Sequence, residues 1–103
     1  MTEKEQIIAV KENGYAIQYI TNPSEIIQLT AVQQNGLSIV YIITPSEKVQ
    51  LEAVKKNGYA IRYIDNPSEN IQLETVKQHK YAFILIENPT KKVRLLYALL
   101  TKI

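Results

Sequence analysis

The sequence predicts an all-α protein, an α-solenoid of 22-residue two-helix repeats, and three observations carry that prediction. Prolines stand at 23, 45, 67 and 89, each 22 residues after the last. Asn13-Gly14, Asn35-Gly36 and Asn57-Gly58 keep the same step, as do Val10, Val32, Val54 and Val76 and the glutamines Gln6, Gln28, Gln50 and Gln72. Between proline and Asn-Gly lies an amphipathic stretch, Ile27, Leu29, Ala31 and Val32 among Gln28, Thr30 and Gln33. So many coincident positions at one period mark a repeat array, in which each unit leaves an apolar face that only its neighbours cover. The 103 residues form a single repeat domain of units 1–22, 23–44, 45–66 and 67–88, with a C-terminal half unit, 89–103.

Each unit opens on helix-start chemistry. In Asn22-Pro23-Ser24-Glu25 the asparagine reads as the N-cap, with Pro23 at the first helical position and Glu25 placed for a capping box. Thr44-Pro45-Ser46-Glu47 and Asn66-Pro67-Ser68-Glu69 repeat this, Asn88-Pro89-Thr90-Lys91 loses the acid, and Thr2 with Glu5 supplies a box for the first unit. The helix runs about 12 residues, near 18 Å. Asn-Gly then ends it, glycine taking the left-handed conformation past the last turn. Leu29, Leu51, Leu73 and Leu95 form one expected core column, and Ile27, Val49, Ile71 and Val93 another.

The second segment, Tyr15 to Ile20 and its equivalents, admits two readings. Asn-Gly before a β-branched, aromatic run also signals a strand, which would make an α/β leucine-rich-like solenoid. Tyr15 and Tyr19 at i and i+4 favour a two-turn helix instead, α or 3₁₀.

Units of the form Asn-Pro-Ser-Glu…Gln-Leu…Ala-Val-Lys-x-Asn-Gly-Tyr-Ala-Ile-x-Tyr-Ile resemble the short helical repeats of the domain-of-unknown-function family 4116. They are similar in plan to HEAT-like and leucine-rich-variant solenoids. The resemblance covers nearly the whole chain and implies a solenoid fold; it implies no activity. The fourth unit departs from it, with His79-Lys80 for Asn-Gly and Leu85 for the second tyrosine.

Composition excludes several chemistries. There is no cysteine, hence no disulfide, thiolate nucleophile or cysteine-ligated zinc. The single histidine, His79, reads as a substitute C-cap residue. Three isolated glycines make no phosphate loop. No catalytic residue, metal or cofactor is expected. No apolar run approaches the roughly 18 residues of a bilayer span, and Met1 to Glu5 lacks a secretion signal, which suits a cytoplasmic protein. Net charge is +2, distributed unevenly: residues 1–88 sum to −2, whereas 89–103 carry Lys91, Lys92, Arg94 and Lys102 without an acid.

Candidate binding residues follow from where the repeat varies. Gln18, Val40, Arg62 and Ile84 occupy one slot whose neighbours repeat, as expected of an exposed position; Thr30, Glu52 and Glu74 read the same way. Tyr19, Tyr41 and Tyr63 line up beside the first slot, and Tyr15, Tyr59 and Tyr81 form a second column. Tyrosines at core-like spacing read first as packing side chains with a wet hydroxyl, and second as anchors for a partner or stacking platforms for bases. The glutamine column reads as a ladder that satisfies backbone groups at the turns. Lys55, Lys56 and Lys77 suit helix C-termini and would also face phosphates. The expected function is a non-enzymatic scaffold binding another protein, its size suiting a viral or phage inhibitor of a host factor. The alternatives are nucleic-acid binding through the basic and tyrosine face, and self-assembly, with a homodimer through the apolar 93–103 helix.

Overall fold

The computed structural model describes residues 1–102, so Ile103, the last residue of the expected 93–103 helix, lies outside the described residues. Five ten-residue α-helices, α1 (Glu3–Glu12), α2 (Glu25–Gln34), α3 (Glu47–Lys56), α4 (Glu69–Gln78) and α5 (Lys91–Leu100), alternate with four six-residue 3₁₀ helices. These are η1 (Gly14–Tyr19), η2 (Gly36–Tyr41), η3 (Gly58–Tyr63) and η4 (Lys80–Leu85). Each α-helix packs on the next and each 3₁₀ helix on the next, giving two layers in a body of 51 × 23 × 16 Å. The fold is an all-α solenoid; no strand occurs among the described residues, so the α/β reading falls.

The second segment is 3₁₀ throughout because its apolar spacing is three. In a 3₁₀ helix residues i and i+3 eclipse, and Gly14, Ile17 and Ile20 line up towards the core, as do Gly36, Ile39 and Ile42, and Gly58, Ile61 and Ile64. Bonds of the same step run from Ala16 N to Asn13 O (2.9 Å) and from Ile20 N to Ile17 O (3.0 Å). The asparagine side chain starts the segment: Asn13 Oδ1 accepts from Tyr15 N at 3.0 Å, and Asn35 and Asn57 do the same one and two units on. His79 keeps the extended backbone of the three asparagines but makes no such bond.

The helix starts differ from the sequence expectation by two residues. The N-caps are Ser24, Ser46, Ser68 and Thr90, not Asn22, Thr44, Asn66 and Asn88, and each α-helix begins after the proline. Asn22 and Asn66 instead take the left-handed turn, with φ of 50° and 48°, a conformation asparagine tolerates better than most residues. The α-helices are therefore ten residues, not about 12. The displaced acid gains another partner: Ser24 Oγ donates to Glu3 Oε2 (2.8 Å), Ser46 Oγ to Glu25 (2.6 Å) and Ser68 Oγ to Glu47. Each serine thus caps its own helix and ties it to the preceding one. The capping box expected at Thr2 and Glu5 is present; the Thr2 N–H, then its hydroxyl, hold the Glu5 carboxyl below its ordinary value of 4.5.

The glycines also serve another purpose than expected. None has positive φ; they permit close approach between units. A Cβ on Gly14 would lie 2.5 Å from the Ala31 carbonyl oxygen, and one on Gly36 would overlap that of Ala53. Gly14 and Gly36 therefore let a 3₁₀ helix rest directly on the backbone of the next unit's α-helix, and Gly58 makes room for His79.

The glutamine column is structural. Gln28, Gln50 and Gln72 each donate through Nε2 to the carbonyl of the proline opening their own unit, at 3.0 Å, and Gln72 also accepts from Thr90 N (3.2 Å). Arg94 takes over this bond in the last unit, to Pro89 O at 2.7 Å.

The core consists of the valine column 10, 32, 54, 76, the column Ile27, Val49, Ile71, Val93, and the isoleucines of the 3₁₀ layer. Leu29, Leu51 and Leu73 are only half-buried, at the margin of this core, and Leu95 is exposed, contrary to expectation. One core position carries a defect. Ser38 is fully buried and its hydroxyl has no hydrogen-bond partner, whereas the other three units have Ala16, Ala60 and Ala82 there. An unsatisfied buried hydroxyl costs about 1–3 kcal/mol. Ser38→Ala is therefore expected to raise the urea midpoint at constant m, by about 1 kcal/mol or more of stability.

Candidate functional site

The outer side of the 3₁₀ layer carries a continuous ridge of exposed side chains. With positions 14, 17 and 20 of each unit turned inward, positions 18 and 19 and their equivalents close the short helix on the solvent side. Gln18, Val40, Arg62 and Ile84 are all exposed, as their variability predicts; Ile84 exposes 85 % of its surface. Beside them stand Tyr19, at 80 % exposure, and the exposed Tyr41 and Tyr63. These tyrosines do not pack into the core, which corrects the first reading of their spacing: in a 3₁₀ helix position 19 falls beyond the inward stripe. Tyr59 and Tyr81 are likewise exposed and Tyr15 is half-buried.

Local contacts hold the ridge in shape. Tyr15 meets Tyr41 of the next unit edge-on, with centroids 5.8 Å apart. The Arg62 guanidinium lies 5.6 Å from the Tyr63 ring centroid. Beside Arg62 a depression of about 460 Å³ is lined by Ile64, Asp65, Leu85 and Glu87 among others. Ile43, exposed by 96 % in the turn that follows η2, is a further exposed apolar side chain and escaped sequence reasoning. The available signal was that its column, Thr21, Ile43, Asp65 and Glu87, is polar in every other unit.

Lys55, Lys56 and Lys77 are exposed in the last turns of α3 and α4. A 3₁₀ helix of six residues rises about 10 Å from its first residue to its last, so these lysines stand at the other end of the unit from the tyrosine ridge. Lys77 is engaged by Glu74 at 3.8 Å. The fold does not gather these lysines with Arg62, Tyr19, Tyr41 and Tyr63 into one patch, although Lys77 lines a depression with Tyr81. Thr30, Glu52 and Glu74 are half-buried, which corrects their expected exposure; Thr30 Oγ1 donates back to Ile26 O at 2.7 Å.

The C-terminal end is a second exposed feature. Val93 of α5 is fully buried, and Tyr97 stacks on Phe83 with centroids 4.1 Å apart. The helix therefore covers the last repeat, while Leu95, Ala98, Leu99 and Leu100 remain exposed. Among the described residues no helix is long and apolar enough to cross a membrane, and no cluster of three or more His, Cys, Asp or Glu residues could hold a metal. No protein-family model, curated protein or solved structure matches the chain.

Proposed function

We propose that this protein is a non-enzymatic helical-repeat scaffold that binds another protein through the 3₁₀ ridge. The observation that carries the reading is the ridge itself: Tyr19, Val40, Tyr41, Tyr63 and Ile84 are all solvent-exposed on one layer of a small repeat array. Contiguous exposed apolar surface marks interaction sites, and tyrosine and arginine are the residues that most often dominate binding energy. The tyrosines also bring large contact area at a low cost in side-chain freedom. Masking or bridging of a partner is the mode of action such a surface supports. Membership of the family-4116-like repeats is part of the same proposal and rests on the repeat consensus alone.

The experiment is a tagged pull-down from source or host lysate after nuclease treatment. It compares the wild type with a variant carrying Tyr41→Ser, Tyr63→Ser and Ile84→Ser, all exposed positions that leave the core intact. The wild type is expected to retain one protein stoichiometrically, and the variant to bind it at least 30-fold more weakly, the loss of one hot spot of about 2 kcal/mol. Retention abolished by nuclease, with a steep fall of affinity in salt, would replace the protein reading by the nucleic-acid one.

A further inference from the structure

The tyrosine column repeats at the pitch of one kind of chain. Five α-helices stack along a body 51 Å long, at the spacing of about 10 Å usual for packed helices. Tyr19, Tyr41 and Tyr63 are the last residues of successive 3₁₀ helices, so each stands one unit, about 10 Å, from the next. A polyproline II chain has three residues per turn and rises about 3.1 Å per residue, about 9.3 Å per turn. One edge of such a chain therefore meets the column once per turn. A β-strand repeats a face every two residues, near 6.6 Å, and falls out of step within one unit. An α-helix comes closer, at about 10.5 Å for seven residues, and is set aside by its hydrogen bonding.

The ridge presents donors in a row. Tyr19, Tyr41 and Tyr63 are exposed, and among the described residues no hydrogen bond within the chain engages their hydroxyls. Arg62 rests over the Tyr63 ring. A partner α-helix has its backbone carbonyls bonded internally, whereas a polyproline II chain has no internal hydrogen bonds and turns its carbonyls outward. Charge adds a sign. The turn after each tyrosine leads into the next α-helix, and along that edge of units 2 to 4 the exposed Glu25, Glu47, Asp65, Glu69 and Glu87 stand against one cation, Lys48. Asp65 and Glu87 also line the depression of about 460 Å³ beside Arg62, and among the described residues the ion pair formed is that of Lys77 with Glu74, not one of theirs.

We infer that the ridge takes a proline-rich segment of a partner protein in the polyproline II conformation, one turn per unit, with a basic residue of that segment at the depression beside Asp65 and Glu87. The inference rests on the ridge being the binding surface and adds the kind of chain bound there. Proline rings pack on the tyrosine rings, and the phenol hydroxyls donate to the carbonyls between them. Such a segment is extended before it docks, so little chain freedom is lost on binding. The repeated tyrosine meets what repeats in the ligand. The varied slot of Gln18, Val40, Arg62 and Ile84 meets the residues between the prolines. The carboxylates of the neighbouring edge give the ligand its positive sign.

The probe is a synthetic peptide of about 14 residues, near 43 Å as polyproline II, with proline at every third position and an arginine at each end. Three comparison peptides place proline at every fourth position, replace the prolines by glycine, or replace the arginines by glutamate. Binding to the full chain is read by fluorescence anisotropy. The parent peptide is expected to bind at least tenfold more tightly than each comparison. The triple variant Tyr19→Phe, Tyr41→Phe, Tyr63→Phe keeps the rings at exposed positions and is expected to bind the parent at least tenfold more weakly. Asp65→Asn with Glu87→Gln is expected to abolish the preference for arginine over glutamate. An unchanged urea midpoint confirms that both variants fold. No binding, equal binding of any comparison peptide, or unchanged behaviour of either variant would overturn the inference. Crosslinking from positions 41 and 63 separates it from the reading it rests on. A partner joined there through a proline-rich segment supports both; one joined through a segment without proline overturns this inference and leaves the ridge as the binding surface. A partner that avoids both positions removes both.

Discussion

Gly36→Ala is expected to cost about 3 kcal/mol, towards the upper end of what overpacking a well-filled interior costs. A Cβ there would overlap the carbonyl oxygen of Ala53 and sit 3.1 Å from the backbone nitrogen of Asn57. Both are backbone atoms of the next unit, held by α3 and by the bond from Asn57 N to Ala53 O (2.9 Å), so neither can yield without parting the two units. Alanine accepts the local backbone, since Gly36 has no positive φ, and the loss is therefore steric. A Cβ on Gly58 would meet the His79 Cβ at 2.8 Å, an atom bonded directly to the backbone of the next unit, so Gly58→Ala should destabilise as well. Urea unfolding of both variants at constant m checks this; a cost near zero at Gly36 would contradict the close approach of the units.

Ile71→Ala is expected to lose about 2–5 kcal/mol. Ile71 is completely buried between α3 and α4, and the helices around it are fixed by serine caps and proline-carbonyl bonds that limit collapse into the void. Against a typical domain stability of roughly 5–15 kcal/mol, such a loss threatens the whole array, because each unit folds only against its neighbours. Leu51→Ala, at a half-buried position, should cost about half as much, since part of the side chain already faces water. Thermal unfolding of the pair settles the comparison; a larger loss at Leu51 would place the core column on the leucines.

The repeat, the helical class and the place where units join were legible because they depend on period alone. Ile27 and its equivalents were visible as a core column, whereas Val10 and its equivalents were read only as a repeating position and the leucine column was taken for core in their place. The details missed share one physical cause: several residues act across units, and sequence shows neighbours only within one. Ser24 caps its own helix and Glu3 bonds to it from 21 positions earlier, a pairing that local capping rules assign to Asn22 and Glu25. Gly14 looks like a helix stop and is a contact point with Ala31. The second segment hid its class because Tyr15 and Tyr19 suggest a step of four while Gly14, Ile17 and Ile20 keep a step of three. That same step turned the tyrosines outward and made the ridge.

The ridge can be tested most directly by placing a photoreactive phenylalanine analogue at position 41 or 63, with controls at Lys48 and Asn70, which are exposed on the α layer. Irradiation in lysate should join one and the same protein to positions 41 and 63 and nothing to positions 48 and 70. Crosslinks arising from the α-layer positions, with none from 41 or 63, would contradict the assignment of the 3₁₀ ridge as the binding surface.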